Sequence, residues 1–271
     1  MTRISKAVPL LLFLMVLSVT GKCLAQSLPS EETMSEKRHF NLFREVWDDQ
    51  KQIWIAPFHA KAGNLKWSIP LFSASGYLIT REDQWSSDYN PSSTTLNVSR
   101  KISMLGAPYT TYPLAAGLYL LGKSTHRERL AETGLIGAEA LINASLVNYS
   151  LKLATSRERP DTGDLDGSFW EGGDSFPSGH TMAAWSLASS IAYFHKNKPS
   201  VAIPAYGLAT AISVSRITGN KHFPSDVLVG STVGFLIGRY VAKKHLMEDH
   251  AANLEFVPAA GPSGFGLQLR W

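Results

Sequence analysis

Apolar residues recur at helical rather than alternating spacing through most of this 271-residue chain. From Phe43 onward Val46, Trp47, Ile53 and Trp54 fall near helical spacing, which predicts an amphipathic helix from Lys37 to Trp54, ending before Ala56-Pro57. Its polar face carries Glu45, Asp48 and Asp49, which anionic lipids would repel, so the pattern favours packing on a core over lying in a membrane surface. Apolar helical stretches follow at Leu65 to Thr80, Leu105 to Leu121, Ala131 to Leu153, Gly179 to His195, Val201 to Ser215 and Pro224 to Lys244, and nothing between them alternates as a strand would. The segments Glu82 to Thr95 and Glu158 to Ser178 are rich in Asp, Ser, Gly and Pro and read as surface loops. The C-terminal tail differs: Leu254 to Val257 and Gly264 to Arg270 flank Pro258-Ala259-Ala260-Gly261-Pro262 and could pair. The expected fold is an all-α helical bundle with room for a short C-terminal β-hairpin.

A membrane span needs about 18–20 predominantly apolar residues. Most of these runs meet a charge, a histidine or a polar cluster sooner; Ile102 to Gly122 alone escapes, and it contains Pro108, Thr110, Thr111 and Pro113. Gly230, Gly234 and Gly238 recur every fourth residue, a spacing that lets two helix backbones approach closely in membranes and in soluble bundles alike. On span length the chain reads as a soluble or peripherally attached domain.

The first residues read as an address. Arg3 and Lys6 precede an apolar run from Ala7 to Val19, and small and polar residues lead to Leu24-Ala25-Gln26, the pattern of a secretory signal peptide cut after Ala25. Cleavage would remove Cys23, the only cysteine; a lipid anchor on Cys23 is the rival reading, with Lys22 standing where a small residue is expected. Export points to the periplasm, with contact to the membrane surface left open. Losing Arg3, Lys6 and Lys22 leaves 23 of the 26 basic residues against 22 acids, so the formal charge of +4 owes most to the leader and no nucleic-acid partner is indicated. The remainder is long enough for one large domain. It divides into a helical extension over 26–104 packed on the core, a core over 105–246 and a tail over 247–271.

Three short stretches carry the chemistry. The first is Lys152 with Arg157, Arg159 and Pro160 at a helix exit, where cations complement the dipole but could also grip phosphate, Arg159 in bidentate fashion. The second is Pro177-Ser178-Gly179-His180, which opens an apolar helix. Ser178 suits its cap, and the free backbone N–H groups at such a start favour a phosphate that Gly179 would let approach. The third is Ser215-Arg216, then His222 before Pro224 and Asp226 four residues on, close enough to hold one ring nitrogen and leave the other aimed outward as a nucleophile. Singly, each is ordinary helix punctuation. Together they supply three cations for a phosphate, Lys152, Arg159 and Arg216, with two histidines and a carboxylate.

Lys-x6-Arg-Pro, Pro-Ser-Gly-His and Ser-Arg-x5-His-x3-Asp, in that order, resemble the signature of the type 2 phosphatidic acid phosphatase and vanadium haloperoxidase superfamily, with all eleven identities filled. The resemblance covers Leu105 to Lys244. It implies a helical bundle with the site at helix ends and a phosphatase acting on phosphate monoesters or on lipid phosphates or diphosphates through a phosphohistidine. His222 would attack phosphorus with Asp226 orienting it, and His180 would protonate the leaving oxygen and then help activate water. Lys152, Arg159, Arg216, Ser178 and the Gly179 amide would hold the phosphate oxygens. The implied partner is a phosphorylated small molecule or phospholipid, and no metal or cofactor is implied. Two alternatives remain: a vanadate-dependent haloperoxidase, although such enzymes are usually much longer, and a non-catalytic envelope scaffold, which would be expected to have lost site residues.

Between the first two stretches lie Asp161, Asp164, Asp166, Glu171 and Asp174, whose spacing about Gly167 fails the EF-hand pattern. They read as a solvated rim loop with Phe169 and Trp170 at the mouth.

Overall fold

The computed structural model describes residues 41–56, 65–162, 167–252, 255–261 and 264–270. The signal peptide read over 1–25, the anchor alternative at Cys23, and Asp164 and Asp166 lie outside the described residues. Among the described residues the helices are α1 (Leu42–Ile55), α2 (Leu65–Asp88), α3 (Ser93–Ser103), α4 (Pro108–Ser124), α5 (Glu128–Thr155), α6 (Gly179–Phe194), α7 (Pro199–Thr218) and α8 (Pro224–Ala252), with a 3-10 turn at Met104–Gly106. The strands β1 (Glu255–Gly261) and β2 (Gly264–Arg270) form an antiparallel hairpin in which Glu255 pairs with Arg270 and Pro258 with Leu267. The bundle and the hairpin are those expected, but Pro258 to Gly261 belong to a strand rather than to the turn.

Helix α6 runs through the centre, against α5, α7 and α8. Its side chains make this feasible: Ala183, Ala184, Ser186, Ala188, Ser189, Ser190 and Ala192 are all buried, small enough for a helix enclosed on all sides. The glycine stripe lies on one of these contacts. A Cβ at Gly230, Gly234 or Gly238 would stand 2.7, 2.3 or 2.0 Å from the carbonyl oxygen of Ser178, Met182 or Ser186. That constant register makes α6 and α8 parallel, so their N-termini lie side by side. Larger side chains fill the surrounding core, among them Ile136, Val147, Phe194, Val233 and Val241.

Sequence reading and structure part in three places before the core. Helix α2 continues through Glu82 to Asp88, so the surface loop expected from Glu82 starts late, and Glu82 itself is buried. A separate helix, α3, follows, capped by the Ser92 hydroxyl accepting from Thr95 N at 3.1 Å. The uncharged run Ile102 to Gly122 is not one span: it is broken by the 3-10 turn before Pro108 starts α4. Among the described residues the helices long and apolar enough to cross a bilayer are α5 and α7, with 61% and 33% of their most apolar windows buried in the protein.

Helix α1 packs on the bundle with Asp49 turned inward, while Asp48 of the same acidic face stays exposed. Trp47 is exposed, while Asp49 is buried beside Ile53. Partners on α5 and α8 explain the rotation: Lys244 Nζ lies 2.7 Å from Asp49 and 2.6 Å from Glu139, His245 is 2.8 Å from Glu139, and Asn143 donates to Asp49 at 2.9 Å. A buried charge is tolerated when paired and hydrogen-bonded in this way.

Candidate active site

The parallel starts of α6 and α8 form the floor of the site. Ser178 N donates to the Asp226 carbonyl at 3.0 Å, tying the entry of one helix to the first turn of the other. Asn148 of α5 donates to the Pro177 carbonyl at 3.0 Å, and a Cβ at position 179 would stand 2.9 Å from its Oδ1, so Gly179 is required by a protein neighbour. Ser178 is the N-cap residue, yet its hydroxyl makes no capping bond, contrary to expectation. Among the described residues that hydroxyl, Thr181 Oγ1 and Arg216 Nε are buried without a hydrogen-bond partner. Unpaired buried donors are unfavourable unless a ligand uses them, and two helix N-termini direct their positive dipole ends toward the same place.

His222 and Asp226 come together at the start of α8. Asp226 Oδ2 lies 3.5 Å from His222 Nδ1 and accepts from Phe223 N at 2.9 Å and from Ser175 Oγ at 2.5 Å. A carboxylate on the Nδ1 side favours the tautomer protonated there and leaves Nε2 free. Both groups are fully buried. Burial lowers the His222 pKa to about 4 against the opposing pull of Asp226. Burial would raise Asp226, but the Arg157 charge, with His222 and Ser175, holds it at about 2. The ring is therefore neutral, and the carboxylate ionised, at neutral pH.

Arg157 is the residue whose part sequence reasoning missed. Though exposed cations are the rule, it is 1% exposed and lies between the rings of Phe169 and Phe223, its guanidinium carbon 4.6 and 4.4 Å from their centroids. Its N–H groups reach Gly167 O at 2.9 Å, Ser225 Oγ at 2.8 Å, Asp226 Oδ1 at 2.6 Å and Glu82 Oε2 at 2.6 Å. Glu82 in turn accepts from Ser225 N at 2.8 Å. Its place in a polar run between helices held no signal of this. Phe169 is likewise buried against Arg157 and not at the mouth, whereas Trp170 is exposed and donates to the Ala154 carbonyl at 2.9 Å.

The cations gather around His180, the second residue of α6. Burial pushes its pKa down to about 3, and the charges of Arg216, His222, Arg159 and Lys152 push the same way. Arg216 lies inside the last turn of α7, not beyond its end, and is almost fully buried. Lys152, near the end of α5, donates to the Asp174 carbonyl, and Asp174 also takes two hydrogen bonds from Arg159. Those Arg159 bonds, against the effect of burial, hold Asp174 at about 2. On the rim Asp161 pairs with Lys221. Beside the site a groove of about 510 Å³ runs between α3 and α7, walled by Val98, Ile102, Val214 and Ser215 among others. Among the described residues no three His, Cys, Asp or Glu side chains are grouped to hold a metal ion.

The structure thus brings Lys152, Arg159, Ser178, Gly179, His180, Arg216, His222 and Asp226 to one end of the bundle. A known family model spans all of these residues. The family model of the PAP2 superfamily matches residues 133–248. Phosphatidylglycerophosphatase B of Bacillus subtilis (strain 168) is 33% identical over 144 residues, 50% of this chain and 68% of that protein. Lipid A 1-phosphatase of Porphyromonas gingivalis is 39% identical over 69 residues, 24% of this chain and 15% of that protein. Among solved structures, the transmembrane PAP2 type phosphatidylglycerolphosphate phosphatase from Bacillus subtilis is 27% identical, with a TM-score of 0.48 over 76% of this chain and 94% of that one. With its motif residues assembled in one site and a relative matched over two thirds of its length, the chain belongs to the PAP2 superfamily.

Proposed function

We propose that the chain is a metal-independent phosphatase of the bacterial envelope, acting on a lipid phosphate or diphosphate, or on a phosphate monoester, through a phosphohistidine on His222. The observation that carries this reading is the pair of buried, unpartnered donors, Ser178 Oγ at the N-cap of α6 and Arg216 Nε in the last turn of α7. A tetrahedral oxyanion would satisfy both, with the Gly179 amide, Arg159 and Lys152 on its other oxygens. In this reading the core is residues 105–246.

The chemistry follows from the charges. Neutral His222 attacks phosphorus through Nε2 while Asp226 keeps the Nδ1 proton in place. As the N–P bond forms, the P–O bond breaks, and the leaving oxygen takes a proton from His180. His180 sits well below its ordinary pKa, so it needs the dianionic substrate beside it to be protonated. Water then attacks phosphorus, gives its proton to His180, and releases His222 with inorganic phosphate. The cations and amides act on the equatorial oxygens, where charge is greatest.

The relatives' names support a lipid substrate: one is a phosphatidylglycerophosphatase and another a lipid A 1-phosphatase. The groove between α3 and α7 would then take an acyl chain, and the exposed Ile203, Leu208 and Val214 of α7 would meet the membrane surface. The test is phosphate release by the purified chain from phosphatidate vesicles and from an aryl phosphate, with and without chelator, beside His222→Ala. Release that survives chelator and vanishes in the variant is expected, with an acid-labile phosphoprotein trapped on quenching. A fully active His222→Ala would overturn the nucleophile, and loss on chelation the metal-free chemistry.

A further inference from the structure

We propose that Glu82, on α2 and outside the segment the family model matches, is a positioning residue that sets the charge of the His222–Asp226 pair through Arg157. The inference rests on the phosphatase reading above. Its physical content is a count of buried charges. Arg157 is the single cation between two carboxylates, 2.6 Å from Glu82 Oε2 and 2.6 Å from Asp226 Oδ1, and all three side chains are at most 2% exposed. With both carboxylates ionised the trio carries one net negative charge against the His222 ring. Without the Glu82 charge it carries none.

That difference matters at one step. When Nε2 bonds to phosphorus and the leaving oxygen departs with its electron pair, the ring keeps its Nδ1 proton and becomes a cation. A neighbouring net negative charge in a low-dielectric site stabilises that cation more than it stabilises the neutral ring of the ground state. Glu82 also fixes the geometry: it accepts from Ser225 N at 2.8 Å and Ser225 Oγ at 3.1 Å, so the first turn of α8, which carries Asp226, is held from α2. Burial raises the Glu82 pKa, and Arg157 opposes it. The other groups acting on His222 are Arg216 of α7, Arg159 and Asp174 of the loop between α5 and α6, and His180 of α6.

The test is Glu82→Gln, which keeps the shape and removes the charge. We expect kcat to fall about tenfold or more, as one unit of pKa-equivalent stabilisation would imply, with KM within twofold. The acid limb of kcat/KM should move to lower pH, because the imidazolium is less stable. Glu82→Asp should recover the limb and part of kcat. A purely structural role would lower Tm and active fraction and leave the limb in place, which overturns the proposal. Two measurements need no turnover. The His222 ring, titrated by NMR, should show a lower pKa in Glu82→Gln, and the 13C-labelled Glu82 carboxyl of the unsubstituted chain should be ionised at pH 7. An unmoved His222 in the folded variant sinks the inference, and a protonated Glu82 in the unsubstituted chain sinks it even if the variant fails to fold. Wild-type chain that releases no phosphate from any substrate, with the His222 shift present, would sink the phosphatase reading alone.

Discussion

Asp174 grips Arg159 through two parallel hydrogen bonds, from Nε to Oδ1 at 2.7 Å and from Nη2 to Oδ2 at 2.9 Å. This is the bidentate fork a phosphate would use, and Lys152, the neighbouring cation, lies 3.6 Å from the same carboxylate. Asp174 thus competes for the two cations assigned to phosphate. With its pKa at about 2 it stays ionised through mild acid, so low pH does not relieve the competition. Asp174→Asn should tighten inhibition by orthovanadate about three- to tenfold, the effect of freeing one charge-assisted contact. Weaker inhibition would mean that Asp174 instead preorganises the cradle.

The close approach of Gly234 to Met182 O has a comparable consequence for the fold. A methyl there would meet a backbone carbonyl at 2.3 Å, which no rotamer change relieves. Gly234→Ala must push α8 from α6, and overpacking of this kind costs about 1–3 kcal/mol. Because the two helix starts carry His180 and His222, the urea midpoint and kcat should fall together. A variant with native stability and activity would show that the helices slide freely, contrary to the register seen.

Most of this architecture could be read from the chain, because a helix enclosed in a bundle carries its signal locally. The apolar runs of α5 to α8 and the motif residues at their ends needed no distant partner to be recognised. What escaped was the part that depends on pairing across the fold. Glu82 looks like the start of a polar loop until Arg157 stands opposite it, 75 residues away in sequence. Asp49 looks like the wet side of an amphipathic helix until Lys244 is placed against it. The Ser178 hydroxyl suits a cap by position, and only the structure leaves it uncommitted. In each case a polar side chain follows its partner rather than its local pattern.

Lys244 offers a test of that pairing, remote from the chemistry. It is 18 residues past Asp226 on one helix, so about 27 Å along the axis at 1.5 Å per residue. Lys244→Met leaves Asp49 buried without its cation and Glu139 with His245 alone, and breaking such a pair by removing one partner costs about 3–5 kcal/mol. The loss should appear in urea unfolding and as early proteolysis near α1, while kcat per folded molecule stays within twofold. A variant as stable as the parent would mean that α1 is held by other contacts.

The two histidines make stability depend on pH with a definite sign. In the folded chain His222 sits at about 4 and His180 at about 3, both below the ordinary value of 6.5. Between pH 4 and 6.5 the unfolded chain therefore binds more protons than the folded one, and stability rises with pH across that window. The contribution is full above pH 6.5 and is lost as pH falls toward the folded values; for fully buried His222 it is on the order of 3 kcal/mol at about 1.4 kcal/mol per unit. Urea midpoints measured from pH 4 to pH 7 should climb, and His180→Asn should flatten the slope. Orthovanadate supplies negative charge beside His180, so it should raise that ring's pKa toward the ordinary value in an NMR titration. A His180 that titrates identically with and without vanadate would rule it out as the proton donor to a phosphate bound at this site.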